Sequence, residues 1–175
     1  VILASNYRDN DEFGGKDVND VLNLIECADK LNKADTSAIG MFGWSRGGMM
    51  TYQCLKETDR IKTAVVGNAP SDLFQSARER PELEEHIFRQ YIPNYDTNKD
   101  DELKKRSVVY WVDSLDKSAS LLILCGSDDQ RVDPLQSVNL SKQLSSIGYD
   151  YKLEIHKTNH SFRGKKTELD STLIA

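Results

Sequence analysis

The stretch Ile39-Gly40-Met41-Phe42-Gly43-Trp44-Ser45-Arg46-Gly47-Gly48-Met49-Met50 decides how the rest of this chain is read. Residues 39–43 are short, apolar and bounded by turn residues, the pattern of a buried strand. Just past Ser45 a helix is expected to begin and to run through Met49, Met50 and Leu55. Gly43-Trp44-Ser45-Arg46-Gly47 therefore stands at a strand-to-helix turn. A turn that tight pushes the serine into strained backbone space. A side chain on either flank, Gly43 or Gly47, is expected to strike neighbouring backbone. The serine is left at a helix N-terminus, where exposed N–H groups and the helix dipole favour a developing negative charge.

Outward from this turn, short apolar runs alternate with amphipathic helices. Strands are expected at residues 1–4, 39–43, 63–67, 121–125 and 151–156. Between the first two lies a helix that Asp17 can cap, with Val18, Val21, Leu22, Ile25 and Ala28 recurring on one face. A later helix has both ends marked: Asp133 at the N-cap, Pro134 at its first position, Gly148 past its last turn. The alternation implies an α/β fold, a mostly parallel sheet with helices on both faces. Residues 71–118 break the rhythm, being charged and irregular. Glu82-Leu83-Glu84-Glu85 and the acids of 96–101 read as solvated surface, and an excursion of this length commonly caps or borders a site. Its aromatics, Phe88, Tyr91, Tyr95, Tyr110 and Trp111, can line a pocket, although each one taken alone suits packing better.

A serine hydroxyl needs a base, and the base needs a partner that fixes its tautomer. In the α/β-hydrolase fold these follow in the order Ser, acid, His. The run 121–125 leads into Gly126-Ser127-Asp128-Asp129-Gln130-Arg131-Val132, which offers the acid as Asp128 or Asp129. The run 151–156 leads into Lys157-Thr158-Asn159-His160, which offers His160 as the base. Ser45 is then the nucleophile, and the Arg46 backbone N–H is one oxyanion donor. His86 reads as a surface residue and His156 as a structural strand end. A metal pair of His156 and His160 lacks both a helix between them and a third ligand at a recognisable spacing. No metal and no cofactor is expected.

Composition narrows the class further. A chain of 175 residues suits one domain with a real core, and 38% apolar against 29% charged residues fits neither disorder nor a membrane protein. A net charge of −5, with no Lys/Arg-rich run, argues against nucleic acid as a partner. No apolar stretch approaches the roughly 18–20 residues of a membrane span. Cys27, Cys54 and Cys125 read as three buried free thiols, since an odd, widely spaced set makes no disulfide framework. Those thiols slightly favour a reducing, cytoplasmic location, with a periplasmic or secreted one open if an upstream signal was removed. Oligomeric state is not legible.

With these motifs in place, most of the chain resembles the prolyl oligopeptidase family of serine peptidases, which includes dipeptidyl-peptidase and acylaminoacyl-peptidase types. Asn6-Tyr7-Arg8 followed by Phe13-Gly14-Gly15 is similar to the segment before that family's first long helix, and Gly43-Trp44-Ser45-Arg46-Gly47-Gly48 to its elbow. Residues 121–134 resemble its acid loop. There the family's aspartate matches Asp129, three residues past Gly126. The resemblance implies that Arg131 holds a substrate carbonyl, with Trp44 and Val132 beside it at the substrate site. It departs at Cys125, where the family usually has His, and at Ser161, where Gly commonly follows the histidine. It also implies a larger frame: an upstream β-propeller, and hydrolase strands one to three ahead of residues 1–4 as strand four and 39–43 as strand five. One of those strands is followed by the loop that completes the oxyanion hole, and the C-terminal helix, starting near Lys165, reads as short. The chain is thus expected to be a single, partial catalytic domain over 1–175, an N-terminally truncated fragment with strands four to eight. The implied activity is peptide cleavage through a Ser-Asp-His acyl-enzyme. The alternatives are a carboxylesterase acting on small esters and a catalytically incomplete fragment.

Overall fold

The computed structural model describes residues 1–6 and 8–174, with the backbone alone for Lys166, Glu168, Leu173 and Ile174. Tyr7, quoted for the family resemblance, lies outside the described residues. Four apolar runs form strands: β1 (Ile39–Trp44), β2 (Ile61–Gly67), β3 (Ser120–Gly126) and β4 (Tyr151–His156). They pair in parallel in the order β1-β2-β3-β4. Parallel neighbours require crossovers, and helices supply them. α1 (Asp17–Ala28) precedes the sheet and α2 (Arg46–Glu57) joins β1 to β2. Between β2 and β3 run α3 (Leu73–Glu79), α4 (Pro81–Leu83), a π-helical turn (Glu84–Phe88), α5 (Arg89–Tyr91), α6 (Tyr95–Arg106) and two 3₁₀ turns. α7 (Pro134–Ser146) joins β3 to β4, and α8 (Lys166–Ile174) follows the sheet.

The register sets where function can sit. Trp44 lies opposite Gly67, Gly67 opposite Leu124, and Gly126 opposite His156. β1 and β2 therefore end level, β3 and β4 run two residues further, and the loops that follow all four open on one edge, the usual place for a site in such sheets. α2 is held beneath that edge by Met49, Tyr52, Cys54 and Leu55, none more than 1% exposed, packed with Ile61, Ala64 and Val66. Burying side chains of this size contributes about 1.5–3 kcal/mol apiece. α7 forms as its end signals require: the Asp133 carboxylate accepts the Leu135 N–H at 2.8 Å, and Gly148 takes φ +64 beyond the last turn.

Some expectations change. Residues 1–4 form no strand, because a strand needs a neighbour to take its backbone hydrogen bonds and none is paired with them. They lie instead beside β1, with Val1 and Ile2 exposed. Asp17 does not cap α1: Lys16 occupies the cap position, and the Asp17 carboxylate turns inward, 3% exposed, to accept the Gly14 N–H at 3.0 Å. Cys27 is exposed, unlike buried Cys54 and Cys125, because it falls on the face of α1 away from Val18 and Ile25.

The excursion over 71–118 is helical rather than irregular, and it fills part of the core. Leu73, Phe88, Ile92, Tyr95, Leu103 and Val108 are buried there, so Phe88 and Tyr95 pack instead of lining a pocket. Tyr91 and Tyr110 are exposed, and Lys56 stands 5.4 Å above the Trp111 ring. Glu82, Glu85, Asp96, Asp100 and Asp101 face solvent as expected, as does His86, whereas Glu84 is half-buried and paired with Lys99. Two buried polar side chains fasten this segment. Gln136 on α7 accepts the N–H groups of Ser71 and Asp72 at 2.9 and 3.0 Å. Arg106 on α6 donates to the carbonyls of Phe13 and Glu12, each at 3.0 Å.

Candidate active site

Ser45 stands alone between β1 and α2 at φ +53, ψ −120, outside the regions that non-glycine residues ordinarily occupy. The turn closes because its neighbours are small. A Cβ at Gly43 would overlap the Gly47 carbonyl and Thr51 Oγ1. The second tight position is Gly48, where a Cβ would come within 2.5 Å of the Ala69 Cβ and 2.7 Å of Val66 Cγ1. Gly47, expected to be the other crowded flank, has open space outside its own helix, since α2 turns that position away from β2.

From this elbow the Ser45 hydroxyl reaches His160 Nε2 at 2.9 Å, and His160 Nδ1 lies 2.7 Å from Asp129 Oδ2. With Asp129 as carboxylate, Nδ1–H donates to it and Nε2 is left to accept the serine proton. The other carboxylate oxygen, Oδ1, accepts the backbone N–H groups of Arg131 and Val132 at 2.8 and 3.1 Å. Asp129 and His160 are each 8% exposed. Asp128, the competing acid, is exposed and turned to Lys157, and its own N–H donates to the Thr158 carbonyl at 2.9 Å. His156 sits 3.3 Å from Glu154 and against the Phe162 ring, away from the serine. Among the described residues no cluster of three or more His, Cys, Asp or Glu can hold a metal ion.

The residues expected to meet substrate divide by placement. Trp44 is turned into the histidine loop: its indole N–H donates to the His160 carbonyl at 3.0 Å and its ring meets Phe162 edge-on at 5.1 Å. Val132 is buried and gives its N–H to Asp129. Arg131 presents an exposed side chain at the mouth of the acid loop. Cys125, where the family has His, is buried at the end of β3, and burial pushes its thiol up.

Two features of the site carry no motif. The Arg46 guanidinium reaches back from the elbow to the segment before α1, donating to both oxygens of Asp11, and to α1's first residue, Asp17, at 2.5 Å, with the Phe13 ring 4.8 Å away. Burial works against charge at both Asp11 and Arg46. Their hydrogen bonds outweigh it, holding the Asp11 carboxyl below its usual range and keeping Arg46 raised. The second feature is Asn68, one residue past β2 and 2% exposed, which touches both the acid loop and the histidine loop.

This parallel sheet with helical crossovers and a serine elbow is an α/β-hydrolase fold. The chain belongs to the prolyl oligopeptidase family, whose model matches residues 5–173. An uncharacterised peptidase of Bacillus subtilis is 30% identical over 146 residues, 81% of this chain and 21% of that protein. The solved acylaminoacyl peptidase of Pyrococcus horikoshii superposes with a TM-score of 0.74 at 25% identity, over 86% of this chain and 25% of that one. An acylaminoacyl peptidase in complex with Z-Gly-Gly-Phe-chloromethyl ketone superposes at 0.73, also 25% identical, over 87% and 25% of the two chains. The chain thus spans about a fifth of the B. subtilis protein and a quarter of each solved chain.

Proposed function

We propose that this chain carries the Ser-His-Asp machinery of a peptidase of prolyl oligopeptidase type, acting by acyl transfer. The observation that carries the reading is the continuous hydrogen-bonded line Ser45 Oγ, His160, Asp129, with links of 2.9 and 2.7 Å. His160 Nε2 takes the Ser45 proton as Oγ bonds to the substrate carbonyl carbon. The same proton then passes to the leaving amine as the C–N bond breaks. A water next gives His160 a proton and bonds to the acyl carbon; as the ester C–O bond breaks, His160 returns that proton to Ser45 Oγ and the acid is freed. Asp129 keeps Nδ1–H pointing inward and stabilises the imidazolium. The backbone N–H of Arg46, first residue of α2, faces the developing oxyanion with the helix dipole behind it.

A peptide substrate is favoured by family membership and by the peptidyl chloromethyl ketone held by the solved acylaminoacyl peptidase. Arg131, exposed two residues past Asp129, is the side chain we assign to hold a substrate carbonyl. The test is intact-mass analysis after fluorophosphonate treatment of the wild type and Ser45→Ala, followed by peptide profiling. One adduct that disappears in Ser45→Ala is the expected result. An adduct of equal yield in that variant would overturn the assignment.

A further inference from the structure

Asn68 is placed as no ordinary turn residue is. Its backbone takes φ +45, and its N–H donates to the Leu124 carbonyl on β3 at 2.8 Å. Its side-chain Oδ1 accepts the Gly126 N–H at 2.8 Å, and its Nδ2 donates to the His160 carbonyl at 2.8 Å. The partners fix which end of the amide is which, since an N–H must meet oxygen and a carbonyl must meet N–H. One buried side chain therefore ties the start of the acid loop to the histidine itself. Gly126 lies three residues before Asp129, and the His160 carbonyl belongs to the residue whose ring faces both Asp129 and Ser45.

The chemistry is selective for an amide. A carboxylate offers two acceptors and would turn one against the His160 carbonyl oxygen. A hydroxyl is too short to span both loops, and an apolar side chain would strand the buried Gly126 N–H and cut the link between the loops. Trp44 supplies a second donor to the same carbonyl at 3.0 Å, so the main chain of His160 is held from β1 and from β2 together. A Cβ at Gly126 would overlap the Thr158 carbonyl, which shows how closely the two loops approach where Asn68 bridges them.

We propose that Asn68 is a positioning residue for the Ser45–His160–Asp129 line: its amide sets the histidine loop at a fixed height against the acid loop, and with it both distances to the imidazole. This inference rests on the serine-hydrolase reading. The probing substitution is Asn68→Asp, which keeps the shape, tolerates positive φ and retains an acceptor for Gly126, but replaces the donor to His160 by an oxygen. With an activated ester, kcat is expected to fall on the order of 10²-fold, as small misplacements of a catalytic group do, while KM stays unchanged. The far-downfield proton resonance of His160 Nδ1–H is expected to shift or broaden. Asn68→Gly, which accepts positive φ without either hydrogen bond, serves if the aspartate variant does not fold, with the same loss expected. Wild-type kcat and an unmoved resonance in either folded variant would overturn the proposal. The resonance is read without substrate, so an inactive wild type would defeat the hydrolase reading and leave this test standing.

Discussion

At the scale of single residues, the choice between two adjacent acids is made by backbone donors. Asp128 and Asp129 differ little in sequence context, yet only Asp129 falls where the N–H groups of Arg131 and Val132 converge on one carboxylate oxygen and leave the other for His160. That geometry serves a carboxylate that must accept without ever donating. Asp129→Asn keeps the shape, but its carbonyl is needed by the Arg131 and Val132 N–H groups, so its NH₂ faces Nδ1 and favours the tautomer that cannot take the serine proton. A loss in kcat on the order of 10⁴-fold is expected, measured with an activated ester. Asp128→Asn should leave kcat near wild type, and the reverse pattern would reassign the acid.

At the scale of elements, the strand-to-helix turn is an exercise in excluded volume. Gly43 at the end of β1 packs on the first turn of α2, where a Cβ would overlap the Gly47 carbonyl and Thr51 Oγ1. Neither is the free end of a flexible chain, so Gly43→Ala must push β1 and α2 apart. Forcing atoms into such a site typically costs about 1–3 kcal/mol. The displacement also swings Ser45 away from His160. Urea unfolding is expected to show that loss together with slowed fluorophosphonate labelling, whereas Gly47→Ala, facing open space, should show much less of either. Equal effects at the two glycines would mean that the turn is not limited by this contact.

At the scale of the whole molecule, Arg46 clamps the elbow to Asp11 before α1 and to Asp17 at its first position, 35 and 29 residues away along the chain. All three side chains are largely buried, at no more than 16% exposed. Asp11→Asn leaves Arg46 with Asp17 as its remaining carboxylate, so at neutral pH it is expected to cost less than the roughly 3–5 kcal/mol of breaking a buried ion pair outright. The Asp11 carboxyl is held below its ordinary value in the fold, so its contribution is fully present above about pH 4, the unfolded range, and is lost as pH falls through the lower folded value. Urea melts of wild type and Asp11→Asn should therefore differ most at pH 7 and converge in acid. A gap that stays constant to low pH would show that Asp11 acts there by packing and not by charge.

What the sequence by itself determined was whatever short-range physics dictates. The glycine-flanked serine between a strand pattern and a helix pattern, the Asp133-Pro134 start and Gly148 stop of α7, and the run that became β4 are local signals with local causes. Ser45, Asp129 and His160 are legible because each follows an apolar run in the chain. The rest depended on partners distant in sequence. Residues 1–4 look like a strand but have no neighbour to pair with, and a strand is defined by pairing. Residues 71–118 look irregular because their helices are short and broken, by a π turn at Glu84–Phe88 and by non-helical Asn98, so their apolar residues keep no single period while still reaching the core. Gly48 rather than Gly47 proved crowded because Ala69 and Val66 come from the next strand and its loop. Asn68, just past the run 63–67, stands in no sequence motif. Only the tertiary structure, in which β3 and β4 run two residues past the end of β2, brings the Gly126 N–H and the His160 carbonyl within 2.8 Å of the two ends of its amide.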